Sequence, residues 1–167
     1  MAKDAVDMAT NDITRLVSES VTAKLPIIGA DGYWALAQQV DSLALQYSLK
    51  PETITHLLDR FGSDIGVVLE LITRDRKLAA QITKELPYIK AEAVYAVTHE
   101  GAQSISDVME HRTRLWFEAE DFGLKLINAI ADLIAPHLGW KATAKKASIA
   151  EYKLRVAHAK ESESQLH

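Results

Sequence analysis

The sequence predicts an all-α domain of about seven to nine helices, and three observations carry that prediction. Nowhere do polar and apolar residues alternate with period two, so no strand is expected. From Tyr33 onward apolar side chains recur at the three-to-four spacing of a helix with one buried stripe. Most glycines and prolines fall between those runs, where they end helices instead of interrupting them. At 167 residues and 48% hydrophobic content the chain can bury one sizeable core.

In chain order, Val6, Ala9, Ile13, Leu16, Val17 and Val21 place a stripe on a predicted helix over residues 3–22, and a helix with one apolar face needs a partner. Lys24 to Asp31, with Pro26 and Gly29, cannot continue it and reads as a linker. Trp34, Ala37, Val40, Ala44 and Tyr47 form the next stripe, ending near Leu49. Pro51 suits a first helical turn, and Gly62 closes the helix through Leu57 and Leu58. Ser63 can cap the following helix, whose core positions are Ile65, Val68, Leu69 and Ile72. Leu78 and Ile82 mark a short helix before Pro87, and Tyr88 to Glu100 form another that stops at Gly101. Ser104 with Asp107, and Ser148 with Glu151, have capping-box spacing and read as helix starts. Between them Phe122, Leu126, Ile130, Leu133 and Ile134 give the longest core helix, ended by Pro136 and Gly139. Glu161 to His167 lacks periodicity and is expected to be disordered.

Several function classes are disfavoured. With 23 acidic against 19 basic side chains the net charge is -4, which gives nucleic-acid binding no support. The absence of cysteine excludes disulfides, iron–sulfur clusters and a thiol nucleophile, and fits a reducing, cytoplasmic compartment. Lys3, Asp4 and Asp7 break any signal-peptide pattern, and the most apolar window, Leu124 to Leu138, is too short and too interrupted to span a bilayer. Membrane association is therefore expected to be peripheral at most. The scattered glycines form no G-x-G-x-x-G cradle for a pyrophosphate. His99 and His111 belong to no H-E-x-x-H run or i, i+4 pair, so no metal is expected, and no nucleophile elbow accompanies the serines.

The stretch from Glu92 to Leu115, EAVYAVTHEGAQSISDVMEHRTRL, carries a resemblance. It is similar to the C-terminal helical domain of FAD-dependent glycerol-3-phosphate dehydrogenases and glycerophosphate oxidases, whose pattern there is aEv-YAv-hE-A, a Leu-x-Asp-Val turn and R-R-T-R. Here the last parts read Ile105-Ser106-Asp107-Val108 and His111-Arg112-Thr113-Arg114, with His in place of the first Arg. Thr22 to Ala30 resembles the family's T-x-x-L-P-L-x-G-A linker, and Leu138-Gly139-Trp140 its LGW helix end.

The resemblance implies that the nucleotide fold, substrate pocket and catalytic residues lie upstream, so the chain is expected to be a fragment. Residues 1–23 then correspond to the last helix of the FAD domain, 24–32 to a linker, 33–160 to the helical domain and 161–167 to a tail. The implied parent oxidises sn-glycerol 3-phosphate to dihydroxyacetone phosphate with FAD as hydride acceptor, passing electrons to quinone, or to oxygen in the oxidase branch. The chain itself is expected to be inactive, to hold no cofactor, and to cap the FAD and substrate domains, with homo-oligomer contacts a further expectation. Met1 and Ala2 correspond to a family helix that opens near the flavin, and a remnant cofactor contact there is weaker than the alternative of an ordinary chain terminus. Trp34, Trp116 and Trp140 read as core anchors or domain-interface residues, with Trp116 and Phe117 an exposed pair facing the missing domain.

The charges in this stretch are the candidate site. Arg112 and Arg114 follow a predicted helix carrying Asp107 and Glu110, and Glu92 and Glu100 lie on the helix before. A structural ion-pair network among Glu92, Glu100, Asp107, Arg112 and Arg114 is preferred over an anion site, because buried guanidiniums need carboxylate partners. The rival class is a free-standing helical interaction or regulatory module. Ile54 to Ile72 could pass for a helix-turn-helix, but it lacks a basic recognition face.

Overall fold

The computed structural model describes residues 2–13 and 17–165. Among these, nine α-helices occur in order: α1 (Ala2–Thr10), α2 (Tyr33–Ala37), α3 (Val40–Tyr47), α4 (Pro51–Phe61), α5 (Ile65–Arg74), α6 (Lys90–Thr98), α7 (Leu115–Glu118), α8 (Ile127–Ile134) and α9 (Ala142–Ser164). Short 3-10 turns and one π-helical segment, Asp107–Arg112, join them. Extended backbone pairs once among the described residues, in an isolated bridge between Gln81 and Ile89. The protein is all-α, as expected.

Two apolar clusters share α6. The first joins α3, α4 and α5 through Ala44, Ile54, Leu57, Leu58, Ile65, Val68, Leu69 and Ile72; the second joins the segments after residue 101 through Ile105, Met109, Leu115, Ile127, Ile130, Ile134 and Tyr152. Helix α6 turns Ala91, Val94 and Tyr95 to the first and Ala93, Ala96 and Val97 to the second. All residues from Ala91 to Val97 are buried, so this helix shows no single apolar stripe.

The helix ends obey local chemistry. Pro51 sits in the first turn of α4, behind an extended Lys50, and Gly62 ends it at φ 56°, ψ -134°. There the linker is clasped onto the domain: the Ser63 amide donates to the Gly29 carbonyl at 2.8 Å, and a Cβ on Gly62 would overlap that same carbonyl. Only glycine fits both the contact and the backbone conformation. Ser104 and Asp107 reciprocate as a capping box, each amide donating to the other's side chain at 3.0 Å.

Several expectations are corrected. The helix expected over residues 3–22 ends at Thr10, and 17–21 is not helical; Leu16 lies outside the described residues. None of α1 is buried and Val6, Ile13, Val17 and Val21 are about half exposed, so no burial offsets the ordering of a longer helix. The stripe from Trp34 to Tyr47 breaks at Gln38 and Gln39 into α2 and α3, and Trp34 is 79% exposed, which excludes the core-anchor reading and leaves the domain-interface one. The longest helix is α9, not the one carrying Ile130. It begins at Ala142, so Ser148 lies within it and its hydroxyl accepts from the Ile105 amide at 3.4 Å. It also continues through Ser164, making 161–164 helical where disorder was expected; its alanines, lysines and glutamates favour helix without burial. Trp116 and Phe117 part company: Trp116 packs on Phe122 and Tyr152, while Phe117 is exposed.

Candidate functional site

Of the charged residues singled out in the sequence, Glu92, Glu100, Arg112 and Arg114 lie along a polar seam between α4, α6 and α7, and Asp107 lies apart from it in its capping box. Glu92, in the first turn of α6, is fully buried. Its carboxylate accepts the Ile89 amide at 2.9 Å, lies 3.1 Å from His56 Nε2 through each oxygen, and faces Arg60 Nε at 3.7 Å. His56 and Arg60 reach it together because four residues make one turn of α4.

From there the seam runs two ways. On one side the His56 ring meets Tyr88 edge-on at 5.0 Å, the Tyr88 hydroxyl donates to Glu118 at 3.0 Å, and Arg114 Nε donates to the other Glu118 oxygen at 3.0 Å. Burial, with the Glu118 contact second to it, pushes the Tyr88 phenol up to about 12. On the other side Arg60 lies over the Phe61 ring at 4.8 Å and within 3.7 Å of Glu100. Arg112 reaches Glu100 only at its backbone carbonyl, 3.0 Å away.

The expected pairing of Arg112 and Arg114 with Glu92, Glu100 or Asp107 is therefore replaced. Arg60, which sequence spacing did not single out, serves Glu92 and Glu100; Arg114 pairs within its own helical turn with Glu118; and Asp107 accepts from the Gln103 and Ser104 amides. Burial acts to raise the Asp107 carboxyl, but those hydrogen bonds outweigh it and hold it below the ordinary range. The available signal was the His56, Arg60 pair flanking the stripe Ile54, Leu57, Leu58 and Phe61. Met1 lies outside the described residues, and Ala2 is exposed on α1.

Burial raises the Glu100 carboxyl above its ordinary range, against the attraction of Arg60 and Arg112 and with repulsion from Glu92 adding to it. The folded chain thus holds this proton more tightly than the unfolded one. The resulting stability is fully present below the ordinary carboxylate range and is lost as pH rises through the raised folded value. Glu100→Gln should remove that loss, so its denaturation midpoint should exceed the wild type at pH 7 and converge on it near about pH 4. Parallel pH profiles for the two proteins would contradict this.

The seam brings the carboxylates of Glu92, Glu100 and Glu118 together with the guanidiniums of Arg60 and Arg114 and the imidazole of His56, while Arg112 bonds to a backbone carbonyl. Among the described residues no cluster of three or more histidine or carboxylate groups is suited to a metal ion. Beside the seam lies an open cleft of about 370 Å³, lined by Glu85, Glu118, Glu120 and Lys125, in which Lys125 and Glu120 pair at 2.7 Å.

Residues 20–145 match the family described as the C-terminal domain of alpha-glycerophosphate oxidase. Curated relatives include glycerol-3-phosphate dehydrogenase of Mycobacterium leprae, 40% identical over 93% of this chain and 27% of the relative. Glycerol-3-phosphate dehydrogenase 2 of Mycobacterium tuberculosis is 38% identical over the same shares, and the Synechocystis glycerol-3-phosphate dehydrogenase is 28% identical over 84% of this chain and 25% of its own length. The chain thus spans about a quarter of the length of these relatives. No solved structure matches it. With three-quarters of its residues inside the matched span, which contains the whole seam, the chain belongs to the family of the C-terminal domain of alpha-glycerophosphate oxidase.

Proposed function

We propose that this chain is the C-terminal helical domain of an FAD-dependent glycerol-3-phosphate dehydrogenase, and that its role is to cap the flavin and substrate domains of the longer protein. The observation that carries this reading is the 40% identity to a glycerol-3-phosphate dehydrogenase over 93% of this chain but only 27% of that relative. On this reading the upstream domains oxidise sn-glycerol 3-phosphate to dihydroxyacetone phosphate, with FAD as hydride acceptor and quinone as the next electron acceptor. Residues 1–23 belong with the upstream domain, 24–32 link it, and 33–160 form the cap.

On this reading the chain itself carries no flavin. The close glycine pair, Gly29 and Gly62, is spent on contact between two backbones, so it does not form a cradle open to a pyrophosphate. The exposed Val6, Ile13, Val17, Val21, Ile27, Ile28 and Trp34 support the capping role, since such side chains gain from a covering partner. Among the described residues no helix is long and apolar enough to cross a membrane. The proposed location is cytoplasmic, with the parent peripheral at the membrane face, and nothing in the charge distribution favours nucleic acid.

The structural role of the seam is also part of this proposal, in preference to a phosphate site. The purified chain should show no flavin absorbance band, and glycerol 3-phosphate should leave its melting temperature unchanged, whereas a ligand for the folded state raises it with concentration. One equivalent of bound flavin, or stabilisation that grows with glycerol 3-phosphate, would overturn the capping assignment.

A further inference from the structure

Building on the capping role, we propose that Ile27, Ile28 and Trp34 form a preformed apolar pad on which the upstream part of the longer protein seats, so that this pad, not the stripe from Val6 to Val21, anchors the cap. These three side chains are 82%, 88% and 79% exposed, against about half for Val6, Ile13, Val17 and Val21. Large apolar side chains gathered in one exposed stretch mark a surface that another covers.

The pad has a fixed backbone under bare side chains. Two successive turns fold the stretch short, one closed by the Ala30 amide on the Ile27 carbonyl at 2.9 Å and the next by the Tyr33 amide on the Ala30 carbonyl at 3.3 Å. Each such turn spans under about 7 Å. Three contacts hold the stretch on the end of α4: the Ser63 amide donates to the Gly29 carbonyl, Gly29 lies against Gly62, and the Tyr33 hydroxyl donates to Asp59 at 2.9 Å. The Trp34 indole stands edge-on to the Tyr33 ring, with centroids 5.3 Å apart. Main chain and one phenol therefore do the holding, and none of it buries Ile27, Ile28 or Trp34. Side chains carried on a fixed backbone lose less freedom when a partner covers them, and Trp is among the residues that most often anchor an interface.

The partner reaches the domain from its N-terminal side. The matched family is a C-terminal domain, and this chain spans about a quarter of the length of its relatives, so most of each relative precedes the matched region. The match begins at residue 20, which puts the pad inside the domain and most of the stripe ahead of it.

Hydroxyl-radical footprinting, read by mass spectrometry, compares this chain with the longer protein. Trp34 should be labelled at least about ten-fold more slowly in the longer protein, as a desolvated anchor is, while Leu154, exposed on α9 beyond the matched span, keeps its rate. Ile28→Ser with Trp34→Ser in the longer protein should restore labelling of Ile27, whereas Val6→Ser with Val17→Ser should leave Trp34 protected. In this chain alone the first pair of substitutions should move the melting temperature by less than about 2 °C, as changes at exposed positions do. Equal labelling of Trp34 in the two proteins overturns the pad, whether or not the longer protein carries flavin. Loss of Trp34 protection on substituting Val6 and Val17 overturns its priority over the stripe. A longer protein that lacks flavin yet protects Trp34 overturns the flavin reading alone and upholds the pad. Protection of Trp34 that grows with the concentration of this chain makes a second copy the occupant and overturns the proposal.

Discussion

Replacing Arg60 by Met should destabilise the fold by about 3 kcal/mol, the scale for abandoning one partner of a buried pair. Glu92 is fully buried and cannot move to water, so loss of the guanidinium leaves its charge with His56 and the Ile89 amide alone. Arg114→Met should cost under about 1 kcal/mol, because that guanidinium stands in solvent and its pair with Glu118 spans one helical turn. Urea denaturation of the two variants gives the comparison, and equal losses would refute the assignment of Arg60 as the cation of the seam. Pairing Arg60→Met with Glu92→Gln should recover much of the loss, since the uncompensated charge is then gone.

Gly62→Ala should cost about 3 kcal/mol, at the upper end of what a strained backbone position stores. Two penalties combine: the backbone at φ 56°, ψ -134° is one that alanine avoids, and its Cβ would overlap the Gly29 carbonyl. Two other glycines separate those contributions. Gly101, at φ 70° with open space where a Cβ would stand, should lose only about 1 kcal/mol as alanine. Gly66, inside α5 and uncrowded, should gain about 0.5–1 kcal/mol. Thermal melts of the three variants should fall in that order; a Gly62→Ala protein no weaker than Gly101→Ala would remove the clasp from the account.

Helices with a single buried face or a marked terminus were legible in the sequence. Pro51 and Gly62 bracket α4, and Ser104 with Asp107 form the box their spacing predicts. The misses have physical reasons. A stripe such as Val6 to Val21 signals a helix only when something covers it, and nothing among the described residues does. The π-helical turn at Asp107–Arg112 leaves no compositional mark, and it rotates the chain beyond it, so Arg112 and Arg114 face partners other than those simple spacing suggested. Glu92 and Glu100 could be found from the family pattern, but their cation could not, because Arg60 lies 32 residues before Glu92 and the two meet only through packing of α4 on α6.

The shared position of α6 also orders events on the ribosome. As residues 90–98 emerge, α3, α4 and α5 are already available, so the first cluster can close at once against Ala91, Val94 and Tyr95. The second cluster must wait until synthesis reaches Tyr152. During that interval the open flank of α6 presents Ala93, Ala96 and Val97, small side chains that give chaperones and neighbouring nascent chains little to grip.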